Sequence, residues 1–271
     1  MQAESEKFVS SLAPGVGLHV IRWGSRAKSP VILLHGGGAN AHWWDHLAPQ
    51  WASDNHLIAL DFRGHGESDA PAELVTGAFN IDLEALCDHL ATPQVTLVGH
   101  SMGAHVALDH AARFDRVRGL LLIDPARGAA KKSRRMARLA LALRRDYASR
   151  EEAIERFRFV PSADHCEEAL RQSIASHSVR MESGGRFGFK FDPRWFSIPS
   201  RPPPDLQAIR CPTLIVRGAE STILTAEGAE EMKLEIPRAQ VMTVPGAGHH
   251  VLLDQPEALA TLTQKWLDQL P

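Results

Sequence analysis

Val95-Thr96-Leu97-Val98-Gly99-His100-Ser101-Met102-Gly103 is the stretch on which the fold of this chain turns. The first four residues are apolar or β-branched and read as a buried strand, while residues 104–113 continue as a helix-like segment. Between them lies the pattern G-x-S-x-G. Alone, the pattern is frequent by chance; set between a strand and a helix it reads as a nucleophile elbow. A serine hydroxyl is a poor nucleophile until it is held exposed beside a base, and a sharp strand-to-helix turn does the holding. Such a turn strains the serine backbone and brings neighbouring chain close, so the residues two before and two after must be small. Gly99 and Gly103 meet that demand.

Outward from the elbow, short runs rich in Val, Ile and Leu recur at 31–34, 57–60, 120–123, 214–216 and 241–244. Runs this apolar suit parallel strands buried on both faces. Helix-like segments lie between them, among them 81–90 and the final 256–270. In the latter, Leu259, Leu262, Trp266 and Leu270 share a face and Pro256 suits a first turn. The alternation predicts an α/β fold built on a mostly parallel, doubly wound sheet. One stretch breaks it: from about residue 126 to 200 the patterns are helical without a convincing strand, closed by Pro199-Ser200-Arg201-Pro202-Pro203-Pro204. The expected organisation is a core of 1–125 and 200–271 with an inserted helical lid over 126–199.

Bulk properties exclude several functions. A formal net charge of -2 over 271 residues and a pI near 6.7 supply no overall field for nucleic acid or an anionic membrane. The amino-terminal residues carry Glu4, Glu6 and Lys7 but no basic region leading into an apolar core, and no apolar run approaches spanning length. The expectation is a cytoplasmic protein with no membrane partner. Cys87, Cys166 and Cys211 are odd in number and widely spaced, which argues for buried thiols over a disulfide framework or a zinc site.

Acyl transfer needs a base for the serine, an orienter for the base and donors for the oxyanion. The base should follow the last strand, where Val244-Pro245-Gly246-Ala247-Gly248-His249 sets a histidine on a glycine-rich turn; His249 is chosen over its neighbour His250 on the G-x-G-H spacing. For the oxyanion, His35-Gly36-Gly37-Gly38 follows the strand at 31–34, where unobstructed N–H groups can face a developing negative charge. Gly37 and Met102 are the expected backbone donors. Neither G-x-G-x-x-G nor a Lys-Ser/Thr phosphate loop is present, so no nucleotide cofactor is expected.

Together these residues resemble the alpha/beta-hydrolase superfamily, in the lidded branch that holds esterases, lactonases and carbon–carbon bond hydrolases. The resemblance spans nearly the whole chain. It includes Asp61-Phe62-Arg63-Gly64-His65-Gly66-Glu67-Ser68, similar to the D-x-R-G-H-G-x-S loop of that family, which implies a structural role for Asp61 and His65. A serine at the elbow disfavours the dehalogenase and epoxide hydrolase chemistries that the superfamily runs with an elbow Asp. The triad acid departs from the family's commonest pattern, an Asp three or four residues after the glycine ending the penultimate strand. After Gly218 those positions hold Ser221 and Thr222. Two carboxylates remain: Asp124 in Ile123-Asp124-Pro125, at the strand end where some members keep the acid, and Glu220 as the alternative.

The resemblance implies a cofactor-free serine hydrolase that cleaves a small or medium ester or lactone through an acyl-enzyme. The rivals are a carbon–carbon bond hydrolase acting on a diketone-like acid and a non-catalytic ligand-binding protein on the same fold. Trp43, Trp44 and Trp195 are candidate substrate-binding residues, with Phe187, Phe189, Phe191 and Phe196 as further aromatic lining. Lys131, Lys132, Arg134, Arg135, Arg138, Arg144 and Arg145 fall opposite Met136, Leu139, Ala140 and Leu143 on a helical wheel, as on an amphipathic surface helix. His42 and His46 stand one helical turn apart without an evident third ligand, so no metal is expected.

Overall fold

The computed structural model describes residues 3–73, 75–128, 146–197 and 201–271. The basic stretch 131–145 and Pro199-Ser200 therefore lie outside the described residues, as does the side chain of Phe196.

The strands are β1 (Glu4–Val9), β2 (Gly17–Trp23), β3 (Pro30–Leu34), β4 (His56–Leu60), β5 (Val95–His100), β6 (Val117–Ile123), β7 (Val179–Met181), β8 (Phe187–Phe189), β9 (Thr213–Gly218) and β10 (Ala239–Val244). All except β7 and β8 form one sheet in the order β1-β2-β4-β3-β5-β6-β9-β10. From β4 to β10 every neighbouring pair is parallel, while β1–β2 and β2–β4 are antiparallel. The apolar runs seen in the sequence become the parallel strands; β3, β4, β5, β6 and β9 are covered on both faces, whereas β10, at the far edge, is largely open to solvent. In β3, Ile32 and Leu34 enter the hydrophobic cluster on one face and Val31 and Leu33 the cluster on the other.

The longer helices are α1 (Ala78–Leu90), α2 (Met102–Arg113), α3 (Arg150–Arg156), α4 (Glu168–Ser178), α5 (Ala226–Glu235) and α6 (Pro256–Leu267). Pro256 sits in the first turn of α6, and Leu259 and Leu267 are buried, with Leu262, Trp266 and Leu270 packed beside them. Among the described residues no helix is long and apolar enough to cross a membrane. Cys87, Cys166 and Cys211 are all free.

Two features correct the sequence expectation. The edge strand β1 and its neighbour β2 carried no recognised apolar run: most of β1 is exposed, and β2 is buried throughout but includes His19 and Arg22, whose partners are Asp61 and Glu6. The insertion between β6 and β9 is also not purely helical. It holds the antiparallel hairpin β7–β8, made possible by Gly184 and Gly185 at φ 93° and 75°, a region L side chains avoid.

Candidate active site

Parallel sheets carry ligands beyond the carboxyl ends of their strands, and here the ends of β3, β5, β6 and β10 meet. Ser101 follows β5 at φ 52°, ψ -111°, a left-handed conformation that costs a non-glycine residue energy. The turn is tight. A Cβ on Gly99 would lie 2.5 Å from the Gly103 carbonyl oxygen, and one on Gly103 would lie 2.3 Å from that of Leu34. The smallness inferred at both positions is thus steric.

His249 comes from the turn after β10. Ser101 Oγ–H donates to its Nε2 over 2.9 Å, and its Nδ1–H donates to Asp124 Oδ1 over 2.7 Å. Asp124, at the end of β6, is fully buried and also adopts a positive φ of 46°. Its other contacts come from the β9 end: the Gly218 N–H donates to Oδ2 over 3.1 Å and Ser221 Oγ–H to Oδ1 over 2.6 Å. Ser221 Oγ in turn accepts from the Ile223 and Leu224 N–H groups. The family's usual acid position therefore holds a hydroxyl that bonds the Asp124 carboxylate on the neighbouring strand. That role was missed at the sequence level, although Ser221 standing in the acid's place was its signal.

Glu220 is corrected as the alternative acid. It points outward, and His165 Nε2–H donates to its carboxylate over 3.1 Å. The reason is geometric: the Glu220 N–H is bonded to the Ala247 carbonyl at the β9–β10 edge, and the side chain leaves on the solvent side. His250 has a different task from His249, since its Nε2–H donates to the Pro161 carbonyl over 2.9 Å. Burial, reinforced by the neighbouring His249, pushes the His250 imidazole well below its ordinary pKa. His100 behaves likewise; its Nε2–H donates to the His249 carbonyl over 3.2 Å, and burial keeps the ring neutral. His100, His249 and His250 have donor atoms within 4.8 Å of one another, but both ring nitrogens of His249 are already engaged. They are a packed support for the His249 ring rather than a metal centre.

The glycine loop is pinned by His35, whose Nδ1–H donates to the Gly36 carbonyl over 2.7 Å while Nε2 accepts from the Phe62 N–H. Burial keeps this imidazole below its ordinary pKa as well. Asp61 holds the other side of the same loop, accepting from the Ala41 N–H over 2.6 Å, the Glu67 N–H over 2.9 Å and His19 Nδ1 over 2.7 Å. Burial opposes its charge, yet these donors hold its carboxyl below the ordinary range. A Cβ on Gly66 would lie 2.1 Å from this carboxylate. Asp61 thus ties backbone from two loops together, and His65 is fully buried beside them.

A cavity of about 1080 Å³ opens over Ser101 and His249. Gly37 and Met102 border it, and Met102 begins α2, so its N–H has no partner four residues back within the helix. Trp43 and Trp195 line it, with Phe189 and Phe191. Trp44 does not. It is fully buried in the cluster beneath, because successive side chains of the 3-10 turn Ala41–Trp44 leave about 120° apart, so the two indoles take different directions. Phe187 packs in the hairpin cluster with Tyr147 rather than on the cavity wall. His46 is also spoken for, its Nε2–H donating to the Leu252 carbonyl over 2.7 Å.

A buried acid, an imidazole and a hydroxyl in this order can draw the hydroxyl proton onto the ring and stabilise the charge that results. Known proteins agree with the architecture. An esterase of Mycobacterium tuberculosis is 29% identical over 264 residues, covering 93% of this chain and 86% of that protein. The (E)-2-((N-methylformamido)methylene)succinate hydrolase of Acinetobacter baylyi is 27% identical, covering 89% and 91%. The crystal structure of an E-2-(acetamidomethylene)succinate hydrolase superposes with a TM-score of 0.82 at 22% identity, over 98% of this chain and 100% of that one, a likeness of fold. The description "Alpha/beta hydrolase family" matches residues 31–262, and with the eight-stranded sheet and the elbow in place the chain belongs to that family.

Proposed function

We propose that this protein is a serine hydrolase acting on a small or medium carboxylic ester or lactone through an acyl-enzyme. The observation that carries the reading is the continuous relay from Ser101 Oγ through His249 to Asp124, at 2.9 and 2.7 Å. Ser101 attacks the carbonyl carbon while His249 Nε2 takes the hydroxyl proton. The negative charge on the carbonyl oxygen is met by the N–H groups of Gly37 and Met102. Collapse expels the alcohol, which receives the proton from His249; water, deprotonated by the same ring, then releases the acid and restores Ser101. Asp124 keeps the Nδ1 proton in place and supports the imidazolium. Trp43 and Trp195 flank the substrate, the segment 126–199 serves as the lid, and no cofactor takes part in these steps.

A second reading rests on Arg156 and Arg158, which also border the cavity, and on the succinate named in the Acinetobacter relative. Guanidinium groups there favour a substrate that carries a carboxylate, including the diketone-like acids of carbon–carbon bond hydrolases. One experiment tests both: a panel of esters graded in acyl length, lactones and diketone acids, assayed on wild type and Ser101→Ala, with fluorophosphonate labelling of each. Ester turnover and labelling that vanish in Ser101→Ala support the proposal. Labelling with cleavage confined to diketone acids favours the second reading, and no labelling at all would leave a binding protein.

A further inference from the structure

A second cluster of ligating side chains lies outside the relay, where the insertion meets the turn that carries Trp43. His42 and Asp45 stand on and just after the turn Ala41–Trp44, and His177 is near the end of α4. His42 Nδ1 is 2.8 Å from Asp45 Oδ2, and the His42 and His177 rings stack with centroids 4.1 Å apart. One donor atom from each of the three falls within 4.8 Å of the others. The sequence pairing of His42 with His46 found no third ligand; folding supplies one from 135 residues away, and His46 is not part of the set.

From this arrangement we infer that His42, Asp45 and His177 form a binding site for a borderline divalent cation of the zinc class, tying α4 to the turn beside the glycine loop. The chemistry of the set fits. Two imidazoles and one carboxylate suit zinc, copper or nickel over magnesium or calcium, which prefer all-oxygen shells. His177 is already oriented as metal-bound histidines are: its Nδ1–H donates to the Ser173 carbonyl over 2.9 Å, which fixes the tautomer and leaves Nε2 with its lone pair outward. The ion takes the place of the proton between His42 Nδ1 and Asp45 Oδ2. Tetrahedral zinc holds neighbouring donors about 3.3 Å apart, so the 2.8 Å His42–Asp45 pair must open slightly and the third donor must close by at most about 1.5 Å from the 4.8 Å limit; because the lone pairs lie in the ring planes, the His42 ring must also turn out of its stack with His177 while His177 keeps its bond to Ser173. The side chains of His42 and Asp45 are 24% and 38% exposed, which gives the ion a path in and water the remaining coordination position. The junction is otherwise tied by Asn40 Nδ2–H donating to Ser178 Oγ over 3.1 Å. Occupancy therefore adds a second tie between the insertion and the wall that holds Trp43.

The test is calorimetric titration of metal-free protein with zinc chloride. It uses wild type, His42→Ala, His177→Ala and Asp45→Asn, with the exposed His165→Ala as control. The expected result is one ion per chain with micromolar affinity, weakened at least about tenfold in either histidine variant and unchanged in the control. Zinc should also raise the thermal midpoint of wild type and leave that of His177→Ala unmoved, because only the folded chain presents the site. Circular dichroism of each variant without zinc confirms that it is folded. Absence of saturable binding up to millimolar zinc overturns the inference. So does binding that persists in both histidine variants, which would place the ion elsewhere, for example at His100, His249 and His250.

Discussion

Replacing Asp124 by Asn keeps the number of heavy atoms and isolates what the carboxylate does. In the native site Oδ1 accepts from His249 Nδ1 and Ser221 Oγ, and Oδ2 accepts from the Gly218 N–H. An amide offers one acceptor oxygen and one NH2 donor. If the oxygen stays beside His249, the NH2 faces the Gly218 N–H, and a buried donor without a partner costs about 1–3 kcal/mol. If the amide turns over, Gly218 is satisfied and the NH2 faces His249 Nδ1, which must then present its lone pair. The imidazole proton moves to Nε2, where it donates to Ser101 instead of accepting from it. The second arrangement relieves the donor clash and disables the base. The expected fall in turnover number is roughly 10³- to 10⁴-fold, as for loss of the orienting acid in other Ser–His–Asp relays, or about 4–5.5 kcal/mol at about 1.36 kcal/mol per decade. Hydrolysis of a p-nitrophenyl ester, with thermal midpoints to confirm folding, measures it. Glu220→Gln should cost less than about tenfold, since that carboxylate is exposed and bonded to His165. Retention of more than a tenth of the turnover by Asp124→Asn, or a greater loss in Glu220→Gln, refutes the assignment.

Other outcomes follow from the same geometry. Gly103→Ala puts a methyl 2.3 Å from the Leu34 carbonyl oxygen, a backbone atom that cannot rotate away; a loss of about 1–3 kcal/mol or more in urea unfolding is expected, along with activity. Trp44→Ala should lower unfolding free energy by about 3–5 kcal/mol and leave acyl-length preference unchanged, whereas Trp43→Ala should shift that preference toward longer chains, as the ester panel would report. Stability should also fall in acid. His65, His100 and His250 are buried with depressed pKa values, that of His65 lowered to about 3, so below the ordinary value of 6.5 the unfolded chain takes up protons that the folded chain refuses. The stability is intact above that value and is lost as pH falls toward the folded pKa. From pH 7 to pH 5 His65 contributes a loss of about 2 kcal/mol, and His100 and His250 add losses of the same sign. Urea midpoints across that range test it, and a flat profile would contradict the burial of these rings in neutral form.

What was legible in the sequence is what short-range chemistry dictates. The parallel strands announced themselves because a strand covered on both faces must be apolar throughout, and the elbow because its crowding admits only glycine at 99 and 103. The proposed base could be placed from the glycine turn before His249. Strands β1 and β2 were silent, since β1 is a largely exposed sheet edge and β2 mixes apolar residues with His19 and Arg22, which find their partners across the fold. The hairpin β7–β8 was silent too, being too short to show a period.

The sequence by itself therefore determined the fold class and the candidate positions Ser101 and His249, because each depends on neighbours within a few positions. Only the tertiary structure decided between Asp124 and Glu220, between Trp43 and Trp44, and between His46 and His177 as company for His42. Each of those choices depends on which way a side chain leaves the backbone once distant strands and helices have come together. Asp124 reaches His249 across 125 positions of chain because β6, β9 and β10 lie side by side, and Ser221 holds it there from the strand between.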